Sequence, residues 1–252
     1  MLTTRVIPVL LLQDKGLVKT VKFDKPTYVG DPINAVKIFN DKEVDELVFL
    51  DIQASLKGKG PSFETITSIA NECFMPLCYG GGVASIDVMK KIYGMGVEKI
   101  AINTCAQDNP NLIGEAARIF GSQSVVVSID AKKNIFGKYE MMKNGVKRKS
   151  GSNPVEFARR MEEMGAGEIL LNSVDRDGTM NGYDLPLIKE VSGAVGIPVI
   201  ACGGAGEPDD FRQAIAAGAA AVAAGSMFVF YGNNRAVLIN YPKRDELSGV
   251  VR

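Results

Sequence analysis

The sequence predicts an α/β fold, a (β/α)8 or TIM barrel, on three observations. Short apolar runs rich in β-branched residues recur eight times along 252 residues. None alternates between polar and apolar, as expected of parallel strands covered on both faces. Amphipathic stretches separate them, and the spacing is about thirty-one residues per unit, the usual size of a barrel repeat. A doubly wound open sheet is the rival arrangement. Eight strands with no G-x-G-x-x-G after the first favour closure.

In chain order, the strands are expected at residues 6–12, 47–51, 75–79, 99–102, 125–130, 168–172, 198–201 and 221–224. Helical stretches are expected at 62–73, 85–93, 110–120, 153–164, 185–195 and 208–217. Pro110 after Asn109 and Ser85 ahead of Ile86 are helix-start signals. Two insertions stand out. Residues 13–31 are long for a strand-to-helix loop, and long loops at that end of a barrel are often lids. Residues 138–142 and 146–150 flank Asn144-Gly145, a type I′ hairpin signal. Lys147, Arg148 and Lys149 there form either a solvated edge or a contact for an anionic ligand or partner.

A half-chain repeat supports one domain spanning 1–252, built from half-barrels at about 1–121 and 122–252. RVIPVLL (5–11) answers VVVSID (125–130), DELVFLD (45–51) answers GEILLNS (167–173), and MPLCYGGG (75–82) answers IPVIACGG (197–204). Three matches in one order point to duplication.

Composition narrows the chemistry. The chain is 46% hydrophobic and 23% charged, with 29 basic and 29 acidic side chains, so nothing favours a sequence-independent nucleic-acid binder. It contains no histidine, which removes Ser–His and Cys–His pairs, His-ligated zinc and imidazole acid–base steps. Cys73, Cys78, Cys105 and Cys202 have no C-x-x-C spacing and read as reduced core thiols rather than a metal or disulfide set. No metal or cofactor is expected. Met1-Leu2-Thr3-Thr4-Arg5 does not open a signal peptide, no eighteen-residue apolar run exists, and a cytoplasmic protein is expected.

Ligand sites in such barrels lie at the C-terminal ends of the strands. Gly80-Gly81-Gly82, Gly203-Gly204 and Gly225-Ser226 fall there, with Asn103-Thr104 beside the first turn and Asp177-Gly178-Thr179 near the second. Glycine admits an anion to the backbone N–H groups, so two phosphate sites facing each other across the mouth are expected. The bland alternative is a set of tight turns. Asp51 and Asp130 end strands, and Asp130 reads as catalytic. The repeat places a partner for it at position 11, which is Leu11; Asp14 follows three residues later in the loop. Lys19, in the same loop, is placed to close over an anion. At the opposite end Arg5, Glu46, Lys99 and Glu168 begin strands, two positive and two negative. Pointing into the lumen they would pair as a neutral plug.

With these residues in view, the chain resembles the cyclase (synthase) subunit of imidazole glycerol phosphate synthase, a lyase of histidine biosynthesis, over essentially its whole length. The matching stretches are DELVFLDI (45–52), GGGV (80–83), INT (102–104), GSQSVVVSIDA (121–131), GAGEILL (165–171), DRDGT (175–179), GYD (182–184) and GGAG (203–206). The resemblance implies a glutaminase partner at the N-terminal barrel face and ammonia passing along the barrel to a bisphosphorylated ribosyl substrate. It implies a channel gate at Arg5, Glu46, Lys99 and Glu168. One phosphate would sit at Gly81, Gly82, Asn103 and Thr104, the other at Asp177, Gly178, Gly203, Gly204, Gly225 and Ser226. Asp130 would be the catalytic carboxylate, Lys19 the closing residue, and Asp51 and Gln123 active-site supports.

Two departures accompany it. The family's first strand ends in Cys-Leu-Asp, where this chain has Val9-Leu10-Leu11, so the expected acid is missing. Strand six ends in Asn172 where the family usually has Thr. Residues 7–12 and 16–23 are similar to a paralogous branch encoded with surface-glycan or flagellin-glycan genes. That likeness implies ammonia supply to an N-acetylsugar amidotransferase in polysaccharide biosynthesis.

Overall fold

The computed structural model describes residues 4–145, 148–232 and 234–249. Met1, Leu2, Thr3, Val146 and Lys147 lie outside the described residues, so the expectations placed on them are left where the sequence puts them.

Eight parallel strands close on themselves. They are β1 (Arg5–Gln13), β2 (Leu47–Asp51), β3 (Leu77–Gly80), β4 (Lys99–Ile102), β5 (Val125–Lys133), β6 (Glu168–Ser173), β7 (Val199–Cys202) and β8 (Ala221–Ala224). Each pairs with its sequence neighbours, and β8 returns to β1 through the register Arg5↔Ala221 to Pro8↔Ala224. Closure leaves no unpaired edge, and each strand hides both faces. That is why the runs do not alternate. One core lies between sheet and helices, while a second fills the lumen with Ile7, Val9, Val48, Cys78, Ala101, Val126, Leu170, Ile200 and Cys202.

Among the described residues, seven longer helices cover the outside: α1 (Pro32–Asp41), α2 (Phe63–Glu72), α3 (Ile86–Tyr93), α4 (Asn111–Phe120), α5 (Pro154–Glu163), α6 (Leu185–Ser192) and α7 (Pro208–Ala216). Their starts follow sequence chemistry. Ser85 accepts from Val88 N at 3.3 Å, Asn153 from Val155 N at 2.8 Å, and Pro154 and Pro208 open their first turns. Helix α1 is absent from the sequence expectation although Asp31, which accepts from Asn34 N at 3.0 Å, and Pro32 mark its start. The eighth unit carries the short helices Ser226–Val229 and Arg244–Ser248 around a hairpin, Phe230–Tyr231 with Ala236–Val237.

Both insertions are hairpins. Residues 13–31 form antiparallel strands Gly16–Val21 and Asp24–Gly30, which continue β1 outward through Leu11↔Val18. After β5, the strand Tyr139–Lys143 runs back along it and pairs onward with Arg148–Lys149. Asn144 (φ 52°) and Gly145 (φ 58°) are left-handed, but the register Lys143↔Arg148 makes the connection longer than the expected two-residue type I′ turn.

Candidate functional site

The C-terminal mouth of the barrel opens into a cavity of about 870 Å³. Its floor is built by strand period: alternate residues of β5 face inward, placing Ser128 and then Asp130 above Val126. Strand β6 matches them in register, Leu170 beside Ser128 and Asn172 beside Asp130. From β1 and β2, Leu11 and Leu50 add an aliphatic patch to the same space.

Asp130 is a half-buried carboxylate on the floor of the cavity. Burial pushes its pKa up to about 7; the Asn103 amide, donating from Nδ2 to Oδ2 at 2.7 Å, works against that rise, and the negative charge of Asp177 adds to it. A carboxyl poised there exchanges a proton readily at neutral pH. Leu11 offers no second proton carrier, and Asp14 does not replace it. Asp14 points outward, 3.0 Å from Lys57 Nζ, and is absent from the cavity wall.

Lys19 reaches the site from the lid hairpin. It is buried, and its Nζ donates to Val9 O. Burial lowers its pKa to about 8, with Asp177 pulling it back upward. The lid is fastened by the turn after β6: Asp177 Oδ2 accepts from Thr20 Oγ1 at 2.8 Å and Phe23 N at 3.1 Å, and Asp177 O accepts from Lys22 N at 2.9 Å. Two glycines make room for this. A Cβ on Gly178 (φ 68°) would collide with Thr20 O, and one on Gly225 with Lys19 Nζ.

The expected anion cradles border the cavity. On one side are Gly81, Gly82, Asn103 and Thr104; on the other are Gly203, Gly204, Gly225 and Ser226. Two of the expected ligands have other work in this conformation. The Gly82 N–H donates to Ser55 Oγ at 3.1 Å, and the Asp177 carboxylate holds the lid instead of facing an anion. Asp51 borders the cavity and anchors its rim, accepting from Gln53 N at 2.9 Å and Ala54 N at 3.0 Å.

Gln123 is a correction. It sits in the 3-10 turn Ser122–Ser124 that leads into β5, at the opposite end of that strand from Asp130, and is exposed. A residue seven positions before the catalytic end of a strand is the strand's length away from the mouth. It does not support the cavity.

At the barrel's N-terminal end the four charged residues form a closed ring. Arg5 contacts Glu46 and lies 2.7 Å from Glu168; Lys99 Nζ lies 2.9 Å from Glu46 and 3.1 Å from Glu168. Glu46 is only 2% exposed, so these pairings offset its desolvation. Above the ring the lumen is apolar up to Ser128. Sequence reasoning passed over Ser128, although two-residue periodicity back from Asp130 marks it as inward. It also passed over Gln107, Thr20 and Phe23, whose parts depend on contacts between distant segments.

Among the described residues, no group of His, Cys, Asp and Glu is arranged to hold a metal ion, and no helix is long and apolar enough to cross a membrane. Cys78 and Cys202 stand unpaired in the lumen, their thiols held protonated by burial.

Comparison with known proteins adds sequence likeness to this geometry. Residues 5–234 match the profile of the family described as "Histidine biosynthesis protein". A provisionally named imidazole glycerol phosphate synthase subunit hisF2 of Pseudomonas aeruginosa is 52% identical over 252 residues, covering 98% of this chain and 99% of the relative. A provisionally named subunit of the same synthase from Leptospira borgpetersenii is 51% identical over 244 residues, 96% of each chain. The imidazole glycerol phosphate synthase subunit HisF of Hyphomonas neptunium is 47% identical over 231 residues, 91% of each chain.

Proposed function

We propose an ammonia-delivering role for this chain, which belongs to the histidine biosynthesis protein family and, within it, to the cyclase subunits of imidazole glycerol phosphate synthase. In this reading a glutaminase docks at the N-terminal barrel face and releases ammonia at the ring of Arg5, Glu46, Lys99 and Glu168. The apolar lumen conducts the neutral molecule, since uncharged ammonia crosses aliphatic surroundings far more easily than ammonium. It emerges beside Asp130 and Asn172, under the lid that carries Lys19. The acceptor we propose is the substrate of an N-acetylsugar amidotransferase of surface-glycan synthesis, reached at the cavity mouth.

One observation carries this reading: an intact charged ring and apolar lumen end at a mouth where Leu11, at the end of β1, stands where the half-chain repeat calls for a carboxylate to match Asp130. Delivery machinery is retained while the second proton carrier of a cyclisation is absent. Losing one general acid or base typically slows a reaction by about 10²–10⁴-fold. The likeness of residues 7–12 and 16–23 to the paralogous branch supports the same assignment.

A second reading is favoured by the two glycine-lined cradles and by the pKa of Asp130 near 7. Here the chain itself joins ammonia to a bisphosphorylated ribosyl substrate and cyclises it, with Asp130 as acid and base, Lys19 closing over the substrate and the cradles holding its phosphates.

Docking and delivery are tested by mixing the chain with the glutaminase encoded in the same genome and following glutamine hydrolysis and free ammonia. A tight complex with faster hydrolysis, lost in Lys99→Glu, supports delivery. No complex, in the presence or absence of acetamido-sugar acceptors, contradicts it.

A further inference from the structure

We propose that Gln107 is a positioning residue for Asp130, acting through the orientation of the Asn103 side-chain amide. The inference rests on the reading of Asp130 as the acid–base group. Its geometry starts in the short helix Thr104–Asp108, which follows β4 and carries Gln107 one turn beyond Asn103. Gln107 Nε2 donates twice, to Asn103 Oδ1 at 3.1 Å and to Met142 O at 3.1 Å in the strand Tyr139–Lys143. Asn103 Nδ2 in turn donates to Asp130 Oδ2 at 2.7 Å.

The direction of this chain of bonds is set at its far end. Met142 O is a backbone carbonyl and can only accept, so the Nε2 end of Gln107 must face it. With that end fixed, Asn103 has to present its oxygen to Gln107, which leaves its N–H for Asp130. Turning Gln107 over would set its oxygen against Met142 O and Asn103 Oδ1, and turning Asn103 over would set its N–H groups against those of Gln107 and its oxygen against the Asp130 carboxylate. The Oε1 atom of Gln107 is buried with no partner, a state that costs about 1–3 kcal/mol. Stability alone therefore gives little reason for a glutamine here.

A donor held on Asp130 favours its carboxylate, whereas an amide oxygen in the same place would favour the protonated acid. Gln107 thus selects which charge state of Asp130 the site supports. The other groups bearing on Asp130 are Asp177 from the turn after β6, Cys202 from β7, and Asn172 beside it in register. Among the described residues, the hydrogen bonds of Gln107 go to Asn103 and Met142 and to none of these groups.

The test is a titration of ¹³C-labelled aspartate in the free, full-length protein, comparing wild type with Gln107→Leu and Gln107→Met. Both variants release Asn103 to present its oxygen, so the Asp130 midpoint is expected to rise by about one pH unit or more. Gln107→Met removes the donor without adding a charge, keeps an unbranched side chain of similar length and serves if the leucine variant fails to fold. A midpoint that stays within experimental error in the folded variants, whatever their melting temperature, would overturn the assignment. The measurement needs no substrate and no glutaminase. If the midpoint moves while the pH profile of turnover in the Leu11→Asp background does not, it is the role of Asp130 that fails and not the positioning by Gln107.

Discussion

Thr20 Oγ1 donates to Asp177 Oδ2 at 2.8 Å, joining the lid hairpin to the turn that follows the sixth barrel strand. The bond holds the lid over the mouth and keeps Lys19 within the cavity wall. Hydrogen bonds to a charged group contribute about 1.5–3 kcal/mol. Thr20→Val keeps the side chain's shape and removes the donor. Its lid should open about tenfold more often, read as faster proteolytic cleavage within residues 13–31 and weaker retention of inorganic phosphate.

Asp130 should make stability fall as pH rises. Its folded pKa, about 7, lies above the ordinary 3.8, so between those values the folded chain binds more protons than the unfolded one. The stability held below pH 4 is lost as pH climbs to 7. At about 1.4 kcal/mol per pH unit, the upper bound on the loss is about 4 kcal/mol. Asp130→Asn is therefore expected to be more stable than wild type at pH 8 and indistinguishable from it at pH 4, in chemical denaturation.

Lys19 has the opposite sign. Its pKa falls from 10.5 to about 8, so between pH 8 and 10.5 the folded chain binds fewer protons and stability increases with pH. Lys19→Met should remove that slope and stabilise the protein at pH 7 by no more than about 3 kcal/mol. The lost bond to Val9 O works against the gain. Phosphate binding should weaken at least tenfold in the same variant, by calorimetry.

The charged ring is expected to respond to single substitutions more than to a neutral swap. Glu46→Gln leaves Arg5 and Lys99 short of a counter-charge in a desolvated place, a change that destabilises buried networks by about 3 kcal/mol. Combining it with Lys99→Met should recover part of the loss, seen as a double-mutant coupling in urea denaturation.

Much of this molecule was legible in the sequence because its signals are local. Eight apolar runs, helix-start residues and the Asn144-Gly145 turn each report on their own neighbourhood, and the strand ends brought Asp130, Asn103 and the glycine turns to one mouth. What escaped is long-range. The segment 13–31 reads as a loop because it carries many charges, Lys15, Lys19, Lys22, Asp24 and Lys25, and only pairing of Gly16–Val21 with β1 and of Asp24–Gly30 with Gly16–Val21 gives it a sheet. Asp177 looks like a phosphate ligand until the lid arrives at its carboxylate. Likeness of motif points Gln123 to the site, yet strand direction puts it at the far face.

The central claim, that delivery is kept and cyclisation is not, is met most directly by one turnover assay. Wild type and Leu11→Asp are supplied with the bisphosphorylated ribosyl substrate and a saturating ammonium salt, which removes any need for glutaminase. The account predicts negligible turnover by the wild type and measurable turnover once a carboxylate faces Asp130. Robust turnover by the wild type would contradict it, because Asp130 would then suffice and Leu11 would be no obstacle to cyclisation.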